Sequence, residues 1–185
     1  MGRWEPDAVG RLRIAALDLF GTVGYEETTV AQIAERAGVT ARTFFRYFAD
    51  KPEVLFDGSE HLEHAMVAAV AGAPEKASAR QALDAGLDAA VELLDERAEF
   101  AQRRSAVIRT NAALLERETM KMARIAEAMA EALRGRGVPE PQASMTAQAG
   151  VAAFRIAFAS WVEKPSTSLA KTIADNLAVL DSIKV

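Results

Sequence analysis

Apolar residues recur every three or four positions along most of the chain, which is the spacing of amphipathic α-helices. The first such stretch covers residues 8 to 23, and Gly24 follows it as a left-handed helix stop. Beyond Pro74 the pattern continues over residues 77–96, 99–110, 113–134, 141–163 and 166–184. Runs with the alternating pattern of strands are nearly absent, so the pattern predicts an all-α protein.

Two short helices joined by a tight turn are predicted between these regions. Thr29 followed by Gln32 is a capping-box pattern that begins a helix, and Gly38 ends that helix. Only Val39 and Thr40 then separate it from the next helix. Two helices in this arrangement are typical of a helix-turn-helix motif.

The second of these short helices separates bulky and basic side chains. At about 100° per residue, one side carries Phe44, Tyr47 and Phe48. The opposite side carries Arg42, Phe45 and Arg46. A helix with a buried apolar side and an exposed basic side favours binding in the major groove of DNA, where base edges differ. The alternative is a plain helical hairpin whose arginines are only solvated.

A fourth helix is predicted to follow directly. Asp50 and Glu53, with Pro52 in the first turn, indicate a start, and the helix is expected to run to Gly72. We place a domain boundary after Phe56. Residues 1–56 are then a three-helix DNA-binding domain, and residues 57–185 are a helical-bundle domain, with about nine helices in all.

Composition and charge restrict the function. Half of the 185 residues are hydrophobic and 26% are charged, as in ordinary globular proteins. The net charge of −4 argues against nonspecific coating of nucleic acid, so DNA binding needs a local basic patch. Residues 36 to 51 provide one, with four basic residues against the single acid Asp50. With no cysteine and no apolar run of membrane-spanning length, we expect a cytoplasmic protein with no membrane contact.

The segment "LDLFGTVGYEETTVAQIAERAGVTARTFFRYFADKPEVL", residues 17 to 55, resembles the DNA-binding domain of the TetR family of bacterial transcription regulators. The resemblance implies a ligand-responsive repressor that binds a palindromic operator in double-stranded DNA as a homodimer. It also implies that phosphates are bound by Thr29, Thr40, Tyr47 and Lys51, and that the groove is faced by Ala41, Arg42, Thr43, Phe45 and Arg46.

Two positions depart from the family pattern. Members often have a small residue at position 42 and tyrosine at position 45, whereas this chain has Arg42 and Phe45. Because arginine can bond guanine O6 and N7 together, we expect Arg42 to be the main sequence reader. Arg3 and Arg11 are further candidates for contacts to the minor groove or the backbone.

The C-terminal region is expected to bind an effector and a second subunit. In the resembled family the last two helices pair with those of a partner, and here these helices carry apolar stripes with small residues such as Ala147, Gly150 and Ala159. A small apolar effector is expected in this domain. The predicted pocket residues are Met66, Phe100, Arg104, Ile108, Met122, Phe154, Phe158 and Trp161.

No catalytic arrangement is indicated by the sequence. The only two histidines, His61 and His64, lie in "EHLEH", and the two Glu-x-x-His elements that a dimetal site needs on different helices are not available. We therefore expect neither an enzyme nor a bound metal or cofactor. An all-helical enzyme and a helical adaptor for an acidic protein remain the alternatives to DNA binding.

Overall fold

The computed structural model describes residues 7–164 and 166–182, and these form nine helices and one additional helical turn. The prediction of an all-α protein is confirmed. No described helix is both long and apolar enough to cross a membrane. The elements are α1 (Ala8–Thr22), α2 (Val30–Arg36), α3 (Ala41–Tyr47), the single turn α4 (Glu53–Phe56), α5 (Ser59–Gly72), α6 (Ala79–Asp95), α7 (Ala98–Arg109), α8 (Ala112–Gly135), α9 (Gln142–Glu163) and α10 (Leu169–Ser182).

The predicted fourth helix is interrupted. Asp57 is extended and Gly58 has φ of 106°, so α4 ends and α5 begins at this point. Residues other than glycine rarely adopt that backbone conformation. The continuous helix predicted up to Gly72 is therefore wrong, because the apolar spacing continues across a glycine that breaks the backbone.

The chain forms two compact units. The first contains the described residues up to Asp57 together with Arg103–Glu116, and the second contains Gly58–Gln102 and the residues from Arg117 onward. The predicted division instead placed residues 103–116 in the second domain. Within the first unit, Arg104 Nε donates a 2.6 Å hydrogen bond to the Leu55 carbonyl, and Asn111 Nδ2 donates one of 2.6 Å to Glu26.

The first unit has its own apolar core. α1 packs against α2 and α4, and α2 packs against α3. The Asp18 carboxylate on α1 forms ion pairs with Arg36 of α2 and with Arg103. Buried core side chains are Leu12, Ala16, Leu17, Phe20, Ile33, Ala34, Phe44, Phe48, Val54, Leu55 and Phe56.

The core of the second unit is formed around α6, which packs against α5, α9 and α10. Two glycines permit close approach. A Cβ atom at Gly86 would lie 2.8 Å from Val70 Cγ2 and 3.1 Å from the Met66 carbonyl oxygen, and one at Gly150 would meet the Leu83 side chain. Small residues at these crossings are therefore required by the packing.

Candidate nucleic-acid interface

Side-chain caps fix the starts of α2 and α3. Thr29 Oγ1 accepts a 3.2 Å hydrogen bond from the backbone N–H of Gln32, and Gln32 Oε1 accepts one of 2.8 Å from the backbone N–H of Thr29. These two bonds complete the predicted capping box. Thr40 Oγ1 accepts from the Thr43 amide in the same way. Gly38, with φ of 70°, turns the chain between the two helices. The structure therefore forms the predicted helix-turn-helix.

The inner side of α3 is anchored by two phenylalanines. Phe44 is 0% exposed and Phe48 is buried beside it, with ring centroids 5.1 Å apart. Burying two aromatic side chains stabilises a helix of only two turns and fixes its rotation about its own axis. This rotation determines which side chains of α3 are exposed to solvent.

The outer side of α3 carries Arg42, Phe45 and Arg46, all exposed as the periodicity predicted. Within the described residues, Arg42 forms no hydrogen bond or ion pair. Ala41 is exposed beside it, whereas Thr43 is half-buried and its hydroxyl lies 3.1 Å from that of Thr40. The guanidinium group of Arg42 is therefore available to a ligand.

Tyr47 is not on the buried side of α3. Its side chain is 43% exposed, because position 47 lies at the edge of the side that Phe44 and Phe48 bury. Arg46 Nη2 donates a 2.9 Å hydrogen bond to the Tyr47 hydroxyl, and the guanidinium carbon lies 4.7 Å from the ring centre. The Tyr47 side chain thus restricts the direction of Arg46.

Lys51, for which a phosphate contact is predicted, forms hydrogen bonds within the first unit. Its ammonium group donates to the carbonyl oxygens of Tyr25, Glu26 and Thr28 at 2.7, 3.3 and 3.0 Å. An ammonium group has three donors, so these bonds use its full capacity. Lys51 therefore stabilises the connection between α1 and α2, just before the cap residue Thr29.

The structure describes one of the two further candidates for contacts to the minor groove or the DNA backbone. Arg3 lies outside the described residues. Arg11 Nε donates a 3.0 Å hydrogen bond to the Ala37 carbonyl, at the C-terminal end of α2. Arg11 therefore caps the first helix of the motif, a role that helical periodicity does not indicate.

The predicted pocket residues do not form one group. Met66, Met122, Phe154 and Trp161 lie in the core of the second unit, where Phe158 packs against them. Phe100 is half-buried. Ile108 and Arg104 belong to the first unit.

The assignment of Arg104 to an effector pocket is not supported. Besides its bond to the Leu55 carbonyl, its guanidinium carbon lies 5.0 Å from the centre of the Phe56 ring. Arg104 therefore covers the end of α4. The two histidines of α5 are exposed, and the described residues contain no group of three side chains suited to hold a metal ion.

The last two helices leave apolar side chains uncovered. Ile156 is 63% exposed on α9, and Met145 on the same helix is also exposed. Val179 and Leu180 are exposed on α10, which packs along α9. We call these four residues the α9–α10 apolar surface. Other bulky residues of the two helices lie in the unit's own core, in particular Val151, Phe154, Trp161, Ile173 and Leu177.

The fold and the exposed side of α3 define a helix-turn-helix protein. Comparison with known proteins narrows this class. Residues 13–57 match the family described as "Bacterial regulatory proteins, tetR family". The N-terminal segment of the chain is therefore similar to the DNA-binding segment of TetR-family regulators.

One curated relative is the HTH-type transcriptional regulator TcmR of Streptomyces glaucescens, 46% identical over 68 residues. That match covers 37% of this chain and 30% of the relative, so most of the relative's length is not represented in it.

Solved structures of similar fold cover nearly the whole chain. The fatty acid degradation regulator FadR from Bacillus halodurans has a TM-score of 0.65 at 18% identity, covering 97% of each chain. Thermus thermophilus FadR, solved in complex with lauroyl-CoA, has a TM-score of 0.60 at 22% identity, covering 96% of this chain and 95% of its own. At these identities the similarity establishes the fold.

Proposed function

We propose that this protein is a transcriptional repressor that binds a palindromic DNA operator as a homodimer and responds to a small effector. The observation that carries the proposal is that α3 has a buried and an exposed side. Phe44 and Phe48 are buried, whereas Arg42, Phe45 and Arg46 are exposed to solvent. A helix fits the major groove, and basic groups on its outer side neutralise phosphates. The protein therefore binds DNA through one face of one short helix.

The polar residues of the motif have different tasks in this proposal. Arg42, which is available to a ligand, bonds the O6 and N7 atoms of a guanine. Arg46 is directed by Tyr47 and contacts the sugar-phosphate backbone. Thr29 and Thr40 lie at helix starts, where hydroxyl and amide groups are suited to bind phosphate oxygens.

The homodimer is supported by the α9–α10 apolar surface. Exposed apolar side chains on two adjacent helices are typical of a protein interface. Ala152 and Ala159 are exposed on the same helix as Ile156 and would let a partner helix approach closely. A twofold dimer presents two copies of α3, and these read half-sites separated by about 34 Å or a multiple of it.

The effector is proposed to be small and apolar and to bind in the second unit. The core of that unit includes Met66, Met122 and Met129, and methionine side chains adapt to varied apolar shapes. Acyl-CoA thioesters, of which the acyl chain is the apolar part that this core would accept, are the first compounds to test, because a protein of similar fold was solved with lauroyl-CoA. Release of bound operator on titration with lauroyl-CoA would support this class of effector.

Selection from random double-stranded DNA tests the proposal. The protein is incubated with a random pool at fixed salt concentration, and bound DNA is amplified and sequenced over several rounds. The expected product is one palindromic motif, retarded as a single species in gel electrophoresis and able to repress transcription from an adjacent promoter. No enriched motif and no retarded species at micromolar protein would contradict the proposal and favour a helical enzyme or adaptor.

A further inference from the structure

An exposed aromatic ring lies among the arginines of α3. Phe45 is 57% exposed, between the positions of Ala41 and Arg42 on the outer side of the helix. Its ring meets the buried Phe44 ring edge to face, with centroids 5.5 Å apart and planes at 81°. Phe45 is therefore in contact with the core through Phe44 while most of its side chain faces solvent.

The chemistry of phenylalanine limits what Phe45 can contact on DNA. The ring carries no hydrogen-bond donor or acceptor, so it cannot bond a phosphate or read a polar base edge. Among the groups that base pairs present in the major groove, the C5-methyl group of thymine is apolar and packs well against phenylalanine. The ring is therefore suited to one feature of the groove.

We infer that Phe45 packs on the C5-methyl group of a thymine in each half-site and makes the protein selective for that base. The inference rests on the proposed function. Arg42 and Phe45 are three residues apart, or about 4.5 Å along the helix axis, which is close to the spacing of about 3.4 Å between base pairs. The thymine therefore lies within one or two base pairs of the guanine that Arg42 reads.

Deoxyuridine substitution tests the inference without changing the protein. Deoxyuridine pairs as thymidine does but lacks the methyl group. Each thymine of the selected operator is replaced in turn, symmetrically in both half-sites, and affinity is measured by fluorescence anisotropy at fixed salt. We expect one position to matter, with a loss of about fourfold for each half-site, as for burial of one methyl-sized group.

Two variants assign the effect to Phe45. In Phe45→Ala the thymine and deoxyuridine operators should bind equally, since the ring is gone. In Phe45→Leu a reduced preference for thymine should remain, because an apolar side chain still faces the methyl group. Arg42→Ala should keep the full thymine preference while losing selectivity for guanine.

The possible results separate the inference from the proposed function. A selected palindrome that binds equally well with every thymine replaced would overturn the inference and leave the proposed function intact. A thymine preference that persists unchanged in Phe45→Ala would also overturn it. If selection enriches no motif at all, the proposed function fails and the inference fails with it.

Discussion

The ammonium nitrogen of Lys51 lies 4.3 Å from the centre of the Tyr25 ring and 2.7 Å from the Tyr25 carbonyl oxygen. Lys51 also donates hydrogen bonds to the carbonyl oxygens of Glu26 and Thr28. It therefore binds three backbone carbonyl groups of the connection between α1 and α2. The residue that follows this connection is Thr29, the cap of the helix-turn-helix. A positive charge close to α3 is thus used inside the protein.

Lys51→Met should weaken the fold rather than remove a phosphate contact. Carbonyl groups left without their partner cost about 1–3 kcal/mol, and we expect a loss of free energy of unfolding in that range, measured by urea denaturation. The dependence of operator affinity on salt concentration should stay as in the unchanged protein. Arg46→Met is the comparison, and it should reduce that slope by about two for the dimer, one for the phosphate contact of each subunit, without a comparable loss of stability. A weaker salt dependence with unchanged stability in Lys51→Met, and the reverse in Arg46→Met, would show that Lys51 contacts DNA.

Gly86→Ala should destabilise the second unit. The new methyl group would meet Val70 Cγ2 at 2.8 Å and the Met66 carbonyl oxygen at 3.1 Å, and neither a β-branched side chain nor a helix backbone moves easily. We expect a loss of about 1–3 kcal/mol in the free energy of unfolding. Gly21→Ala is the matched control, because nothing lies within 4 Å of its added methyl group and a gain of about 0.4–1 kcal/mol is expected. If Gly86→Ala and Gly21→Ala changed the thermal unfolding temperature equally, the close approach of Gly86 to Val70 and Met66 would be refuted.

Ile156→Glu should convert the proposed dimer to a monomer. A buried, unpaired carboxylate on each side of a twofold interface is strongly unfavourable. Light scattering after size-exclusion chromatography should give twice the chain mass of 19.9 kDa for the unchanged protein and the single chain mass for the variant. Met120→Glu places the same charge at an equally exposed apolar position on α8, and this variant should remain dimeric. Dissociation of both variants, or of neither, would argue against the α9–α10 apolar surface as the interface.

Helical periodicity predicted those features that one helix determines by itself. The capping box at Thr29 and the burial of Phe44 and Phe48 depend on residues within four positions of each other, and the structure has them. The outward direction of Arg42 follows from the same rotation.

Features that depend on distant parts of the chain could not be predicted in this way. Lys51 and Arg11 each bond backbone carbonyls on another element, and carbonyl oxygens carry no sequence signal. Tyr47 lies at the edge of the buried side, where periodicity alone does not decide exposure. The break at Gly58 was indicated in the sequence by the glycine itself, but the apolar spacing continues on both sides of it and predicted an unbroken helix.

The central claim is that the outer side of α3 enters the major groove and that Arg42 reads bases there. The most direct test is a titration of the unchanged protein and Arg42→Ala by fluorescence anisotropy, on the selected palindrome and on a scrambled duplex of the same composition. The account predicts that Arg42→Ala loses about 1–3 kcal/mol of preference at one base pair of each half-site, while binding to the scrambled duplex changes much less. Equal losses on the two duplexes would contradict it.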